Sequence, residues 1–148
     1  MRKNPTRPAS EVTVIIPALN EERRIAEVVQ FALQDSNVYE VIVVDDSSTD
    51  ATVARACEAG ARVITSSMLG KGASMHDGLL SATTEYVVFL DGDLTGLEAG
   101  LISRLTAPLC KHDADFVKAR FGRSGGRVTE LTAKPMLKVF FPELAQGS

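Results

Sequence analysis

Two aspartates follow a run of four apolar residues in the segment VVFLDGDLTG, residues 87–96. The apolar run predicts a buried strand, and alternation along an extended chain would place Asp91 and Asp93 on one side, roughly 6–7 Å apart. At an effective dielectric constant of ~20, two anions at that separation repel by about 2–3 kcal/mol. The pair therefore predicts a positively charged ligand, and the alternative interpretation is an exposed turn.

Polar segments also follow two earlier apolar runs: PALNEE at residues 17–22 and DDSSTD at residues 45–50. If these runs are parallel strands, all three polar segments meet beyond the carboxyl ends of the sheet, where ligands bind in open α/β folds. Each segment also has a purely structural interpretation. Asn20 and Ser48 could cap helices, and Asp45 could be a turn residue.

The elements that would position these segments alternate between strand and helix. Short apolar runs predict strands at residues 12–16, 41–44, 63–64, 86–90 and 115–119. Because the strands are almost continuously apolar and helical patterns separate them, we predict an α/β fold. Its sheet should be mostly parallel, with helices on both faces.

Four segments with a helical period lie between those strands. The residues predicted to face inward are Ile25, Val28, Val29 and Ala32, then Val53, Ala56 and Cys57, then Met75, Leu79 and Leu80. We expect Asn20 to cap the first helix, Ser48 or Thr49 to cap the second, and Gly60 to end the second. The fourth helix should span about residues 97–110.

Composition excludes several classes of protein. The chain has 148 residues, a formal net charge of −3 and 45% apolar residues, which favours one compact domain and no nucleic-acid or anionic-membrane partner. Residues 1–10 contain no apolar core of a signal peptide, so we interpret them as a flexible leader. With no apolar run near ~20 residues, we expect no membrane association and a cytoplasmic location.

The cysteines and histidines do not suggest a metal site. Cys57 and Cys110 fall in separate predicted helices without metal-type spacing, so both are predicted to be reduced core thiols. His76 falls in a predicted helix and His112 in a turn. Neither histidine has a partner at ligand spacing, which favours packing or surface roles.

The four segments PALNEE, DDSSTD, GKG and DGD, in this order, resemble the nucleotide-sugar-binding half of GT-A glycosyltransferases over residues 12–96. The resemblance implies a Rossmann-like fold, a UDP-sugar donor, and Mg²⁺ or Mn²⁺ bridging the diphosphate to carboxylates. It implies Asp91 and Asp93 as catalytic residues, with Asp93 as the metal ligand. The residues that it implies for nucleotide-sugar binding are Pro17, Ala18, Leu19, Glu21, Asp46, Lys71, Asp91 and Gly92.

A basic region follows, with six cations against one acid in residues 118–138. It contains one aromatic residue, Phe121, and not the series of aromatic residues alternating with charges that binds single-stranded nucleic acid. Its string GGRVTELTAKPMLKVFFPEL resembles the retaining glucosyl-3-phosphoglycerate synthases. That resemblance implies Arg127, Val128 and Thr129 as acceptor-binding residues. It also implies glucose transfer from UDP-glucose to 3-phosphoglycerate, and a possible homodimer.

Members of that family continue well beyond this length, so we expect the chain to be truncated at its C-terminus. The predicted organisation is a leader at residues 1–10, nucleotide-sugar-binding βα units at residues 11–96, and the start of an acceptor-binding region at residues 97–148.

Two alternative functions remain open on the sequence. The segment DGDLT also matches the phosphatase motif of the haloacid dehalogenase superfamily, in which Asp91 would be the nucleophile. That motif normally follows the first strand of its domain, whereas three strand–helix units precede it here. The chain could also be an inactive or partial module that binds a nucleotide sugar without transferring it.

Overall fold

The computed structural model of this chain describes residues 12–111 and 117. Its sheet has four strands, β1 (Val12–Ala18), β2 (Val38–Asp45), β3 (Arg62–Thr65) and β4 (Tyr86–Phe89). Every pairing is parallel and the strand order is β3-β2-β1-β4. This confirms the predicted α/β class and its parallel sheet.

Four helices connect and follow these strands: α1 (Ile25–Gln34), α2 (Thr52–Ala59), α3 (Lys71–Ser81) and α4 (Leu101–Cys110). The chain moves from β1 to β2 to β3 in one direction and then returns to place β4 on the far side of β1. Because crossovers between parallel strands are right-handed, α1 and α2 cover one face and α3 covers the other. The prediction of helices on both faces is therefore confirmed.

The strands are apolar throughout because the sheet is covered on both sides. Val14, Ile15 and Ile16 in β1 are fully buried, as are Ile42 and Val43 in the neighbouring strand β2. β1 lies between β2 and β4, and the hydroxyl groups of Thr13 and Thr84, 71 residues apart, are hydrogen bonded at 2.7 Å. The centre of the core is thus formed by β1.

Several predicted boundaries were wrong by a few residues. β1 continues through Pro17, which pairs with Val44. Proline has no backbone N–H, so it fits a strand only at a position where that N–H does not need to donate to a neighbouring strand. β4 ends at Phe89, one residue earlier than expected, and α4 begins at Leu101 instead of near residue 97.

The inward face of α2 was predicted correctly at Ala56 but wrongly at Val53 and Cys57. Val53 is 38% exposed and Cys57 is exposed, whereas Thr52 and Ala56 are completely buried. The buried stripe therefore lies one residue earlier than the apolar pattern indicates. The prediction that Cys57 is a core thiol is therefore wrong.

Helix α3 differs from the prediction for a related reason. Met75 and Leu79 pack against the core as expected, but Leu80 is 62% exposed. Ser74 and Gly78 are the buried residues of this helix. Small residues face the sheet because α3 lies very close to β1 and β2.

The predicted helix caps were correct only at Gly60, which adopts a left-handed conformation and ends α2. Neither Asn20 nor Ser48 nor Thr49 caps a helix, because α1 begins at Ile25 and α2 at Thr52. These three polar residues bond to one another instead.

Some predictions fall outside the described residues. They are the leader at residues 1–10, the strand at 115–119, His112, the basic region at 118–138, and the acceptor residues Arg127, Val128 and Thr129. Among the residues that the structure describes, no helix is long and apolar enough to cross a membrane.

The closeness of α3 to the sheet gives a stability prediction at Gly78. A Cβ atom there would lie 2.5 Å from Cγ2 of Ile15 and 3.0 Å from Cγ2 of Val44. Overpacking against these stiff side chains should outweigh the gain in helix propensity, so Gly78→Ala should lower the free energy of unfolding by about 1–2 kcal/mol. Urea denaturation measures this change.

Gly72 provides the matched control within the same helix, because a Cβ there meets nothing within 4 Å. Gly72→Ala should leave the free energy of unfolding unchanged or raise it by up to about 1 kcal/mol. Equal effects of the two substitutions would contradict the close packing of α3 on β1 and β2.

Candidate functional site

Because all four strands are parallel, the segments that follow them lie at one edge of the sheet. The chain leaves β1 toward β2 on one side and later places β4 on the other side. The crevice where the connections diverge therefore lies beyond the ends of the neighbouring strands β1 and β4. Residues 17–22, 45–50, 66–71 and 90–93 are at this edge. They include each nucleotide-sugar residue predicted from the sequence.

The loops after β1 and β2 are held together by hydrogen bonds. The backbone N–H of Asn20 donates to Oγ of Ser48 at 2.9 Å, and the N–H of Thr49 donates to Oδ1 of Asn20 at 2.9 Å. Asn20 has a φ of 52°, a left-handed conformation that asparagine tolerates better than most residues. Asn20 and Ser48 thus shape the edge of the site instead of capping helices.

Thr52 is a buried anchor for the same two loops that sequence reasoning missed. Its Oγ1 accepts the backbone N–H of Glu21 at 2.8 Å and is also hydrogen bonded to the carboxylate of Asp50. The hydroxyl of Thr52 lowers the pKa of Asp50, and backbone N–H donors act in the same direction. The sequence signal that could have indicated this contact is Asp50, an aspartate two residues before Thr52 at the start of α2.

Three carboxylates gather around the turn after β4. A Cβ atom on Gly92 would lie 3.2 Å from Cγ of Glu21, so the backbone of this turn packs directly against the Glu21 side chain. Burial raises the pKa of Glu21, and the charges of Asp93, Asp91 and Asp50 raise it further, whereas Lys71 lowers it. The site therefore favours an added positive charge.

Asp91 and Asp93 are not placed by strand alternation as the sequence suggested. β4 ends at Phe89, and residues 92 and 93 form a turn. Asp91 is half-buried beside Gly92, whereas Asp93 is exposed to solvent. The two carboxylates still belong to one cluster, since both of them act on Glu21.

Lys71 forms an ion pair with Oδ1 of Asp91. It is the first residue of α3, directly after Gly70, whose φ of 108° brings the loop after β3 to the edge of the sheet. The Lys71 side chain is 62% exposed and that of Asp91 is 25% exposed. This contact joins the third and fourth polar segments.

Asp46 connects the second and third polar segments. Its Oδ2 accepts the backbone N–H of Gly70 at 3.0 Å, and its own N–H donates to the carbonyl of Ala18 at 2.9 Å. Oδ1 of Asp46 is buried and has no hydrogen-bond partner. Because buried polar atoms are nearly always paired, this oxygen is suited to accept a donor from a ligand.

The other predicted nucleoside-binding residues follow β1 in order. Pro17 is half-buried, Ala18 is buried, and Leu19 is 49% exposed at the edge of the site. His76 lies within α3 as predicted. Hydrogen bonds from Ser67 lower the pKa of the neighbouring Asp77, and the charge of His76 acts in the same direction. Within residues 12–111, no three histidine, cysteine or acidic side chains are arranged to hold a metal.

The raised pKa of Glu21 predicts a pH-dependent stability. Since the folded chain holds the Glu21 proton more tightly than the unfolded chain, the free energy of unfolding falls as pH rises from 4.5 through the folded pKa. Glu21→Gln removes the charge but keeps the shape. We expect it to raise Tm by about 2 °C at pH 7 and by less at pH 4.

Glu58→Gln, which removes an exposed carboxylate from α2, is the control for this change. It should shift Tm by less than the Glu21 substitution at pH 7. Thermal unfolding followed by circular dichroism at both pH values measures the difference. A gain for Glu21→Gln that is the same at pH 4 and pH 7 would rule out the charge effect.

Comparison with known proteins extends this description. The sequence model described as Glycosyl transferase family 2 matches residues 13–146. Glucosyl-3-phosphoglycerate synthase from Mycolicibacterium smegmatis is 36% identical over 155 aligned positions, covering 90% of this chain and 51% of that protein. The chain thus spans about half the length of the curated relatives it matches.

Solved structures of glucosyl-3-phosphoglycerate synthase from Mycobacterium tuberculosis have the same fold. One, in complex with Mn²⁺, UDP-glucose and phosphoglyceric acid, aligns with a TM-score of 0.72 and 35% identity over 93% of this chain and 54% of the other. A second, with Mg²⁺ and UDP, aligns with a TM-score of 0.71 and 36% identity over the same shares of the two chains.

Proposed function

Because this chain belongs to Glycosyl transferase family 2, we propose that it provides the nucleotide-sugar-binding half of a metal-dependent hexosyltransferase that uses UDP-glucose. One observation carries the proposal. Asp46, Lys71 and Asp91, from three separate segments, lie at one edge of a GT-A sheet and are joined through Gly70 by a hydrogen bond and an ion pair.

The roles we propose follow the chemistry of each group. Pro17, Ala18 and Leu19 form the wall against which the nucleoside packs. The unpartnered Oδ1 of Asp46 accepts the imide N–H of uracil, and Glu21 closes the pocket beside Gly92. Charge-assisted hydrogen bonds from the Lys71 ammonium contact the diphosphate, each worth about 1.5–3 kcal/mol.

Two carboxylates at this edge would suit Mg²⁺ or Mn²⁺, because such ions are commonly held by one or two carboxylates together with substrate phosphates and not by three protein side chains. Both Asp91 and Asp93 offer the hard oxygen donors that these ions prefer, and their repulsion of Glu21 is relieved by a cation. We assign Asp93 as the direct ligand and Asp91 as the residue nearer the ribose. When bound, the ion would act as a Lewis acid that stabilises the leaving diphosphate.

For the acceptor we propose 3-phosphoglycerate, bound by Arg127, Val128 and Thr129, with glucosyl-3-phosphoglycerate and UDP as products. Support comes from the GGRVTE segment and from the enzyme names of the relatives. Arginine forms bidentate hydrogen bonds with phosphate and carboxylate groups, which suits an acceptor with both.

The transfer that we propose retains the configuration of the sugar. The bond from the anomeric carbon to the β-phosphate oxygen breaks, and a bond from that carbon to the acceptor hydroxyl oxygen forms on the same face. The hydroxyl proton passes to the departing phosphate oxygen. Asp93 would hold the cation that offsets the charge of the diphosphate in this scheme, Asp91 would lie nearer the ribose, and no separate general base is required.

The first test is isothermal titration of UDP-glucose into the 148-residue chain, with and without Mn²⁺. We expect binding that depends on Mn²⁺. An absence of binding under both conditions would contradict the proposed donor site. Glucose transfer to 3-phosphoglycerate, followed by UDP release, then tests the acceptor.

A second candidate is a module that binds the nucleotide sugar without transferring it, and the observation that favours it is the coverage of only about half of each relative. It predicts UDP-glucose binding with no UDP release.

The haloacid dehalogenase alternative is disfavoured because Asp91 follows β4 after three strand–helix units. A homodimer stays a prediction that light scattering can test.

A further inference from the structure

We propose that Lys71 is an exchangeable counter-ion. It pairs with Asp91 in the structure, and it moves to the diphosphate when the donor binds. The metal and the nucleotide would then bind cooperatively, partly through the movement of one side chain. This inference rests on the proposed function and deepens it.

The ion pair of Lys71 with Asp91 is the first observation. Lys71 occupies the first turn of α3, where the helix dipole disfavours a cation unless an anion is close by. Asp91 is that anion in the structure. A diphosphate with its larger negative charge would be a stronger partner at the same position.

The exposures of the two side chains suit an exchange. The Lys71 side chain is 62% exposed, so its flexible stem can change direction without disturbing the core. The Asp91 side chain is 25% exposed and follows the buried Leu90 just after β4. Lys71 is therefore the partner that moves. Asp91 stays in place for whichever cation is present.

Competition between Lys71 and a divalent cation follows from charge. The cluster contains three carboxylates, those of Glu21, Asp91 and Asp93, and Lys71 is paired with one of them. A metal ion held by Asp93 without nucleotide lies beside an Asp91 whose charge the ammonium already neutralises. Once a diphosphate has attracted Lys71, the charge of Asp91 also favours the metal ion.

Thermodynamic linkage makes this testable. If UDP tightens Mn²⁺ binding by some factor, Mn²⁺ must tighten UDP binding by the same factor. Direct bridging of metal and diphosphate supplies part of that factor in any enzyme of this type. The movement of Lys71 from Asp91 to the diphosphate adds a further contribution to this factor. That contribution disappears when residue 71 carries no charge.

The experiment is a titration of Mn²⁺ into the full chain, with free Mn²⁺ measured by electron paramagnetic resonance, in the absence and presence of UDP. We compare the unmodified chain with Lys71→Met and Lys71→Arg. Without UDP, Lys71→Met should bind Mn²⁺ about threefold to fivefold more tightly, the upper range that loss of an exposed ion pair predicts. In Lys71→Met, the factor by which UDP tightens Mn²⁺ binding should be smaller than in the unmodified chain by about the same fold-change.

Lys71→Arg keeps the charge and the pairing, so its Mn²⁺ affinity without UDP should stay within about twofold of the unmodified chain. Unchanged or weaker Mn²⁺ binding by Lys71→Met would overturn the proposal. The proposal would also be overturned if Lys71→Met bound Mn²⁺ more tightly while UDP tightened Mn²⁺ binding by the same factor as in the unmodified chain. That result would mean that Lys71 acts as a fixed charge and does not move.

The outcomes separate this inference from the proposed function. If the unmodified chain binds no UDP, the proposed donor site fails, whereas the titration without nucleotide still decides whether Lys71 competes with the cation. If no variant binds Mn²⁺ without UDP, the competition itself is contradicted.

Discussion

Replacing Asp93 with alanine is expected to lower the Mn²⁺-dependent affinity for UDP by at least about 100-fold, because the change removes the proposed direct metal ligand. The fold should not change. Asp93 is exposed in the turn after β4 and is not part of the buried core. Isothermal titration of UDP at saturating Mn²⁺ measures the loss.

The control for Asp93→Ala is Glu58→Gln, which removes one negative charge from an exposed position on α2. Its UDP affinity should stay within about twofold of the unmodified chain, as is usual for exposed charges. Circular dichroism spectra should match among all three proteins, and Asp93→Ala should not lower Tm, because the charge of Asp93 repels that of Glu21. If Asp93→Ala retained the full Mn²⁺-dependent affinity, Asp93 would not be the metal ligand.

Arg127→Ala is expected to weaken 3-phosphoglycerate binding by about 10- to 100-fold and to leave UDP affinity unchanged. The magnitude corresponds to the loss of charge-assisted hydrogen bonds to a phosphate or carboxylate, about 1.5–3 kcal/mol. Arg127 lies outside the described residues, so this expectation comes from the GRVTE segment. Titration of 3-phosphoglycerate into the chain saturated with Mn²⁺ and UDP measures it.

Arg123 offers a control within the same basic segment, GRSGGR. Arg123→Ala should change the affinity for 3-phosphoglycerate by less than about threefold if the contact is specific. Equal losses from the two substitutions would indicate general attraction by the basic region. An equal loss of UDP and acceptor affinity in Arg127→Ala would contradict its assignment to the acceptor.

The strands were predicted well because covered parallel strands must be apolar along their whole length. The runs around Ile15, Val43 and Val88 could belong to little else, and their order with the intervening helices implied a parallel sheet. The α2 face was not predictable from apolar periodicity. Thr52 is buried because a loop N–H and a carboxylate satisfy its hydroxyl, whereas the apolar Cys57 faces solvent.

The site was predictable where it depends on strand ends and not where it depends on contacts between loops. Asp46 and Asp91 lie one and two residues beyond the ends of β2 and β4, so their common edge followed from the topology. The bond from Gly70 to Asp46 and the anchor at Thr52 each join residues more than twenty positions apart. Loop geometry decides such contacts, and no local pattern in a single sequence encodes it.

The position of β1 between β2 and β4 has a consequence for synthesis on the ribosome. β1 is made first, yet its second edge is covered only when the chain has grown past Thr84, which bonds to Thr13. During that interval a strand with fully buried side chains exposes unpaired N–H and carbonyl groups, a surface that favours aggregation. We therefore expect nascent chains that stall before β4 to depend strongly on chaperones.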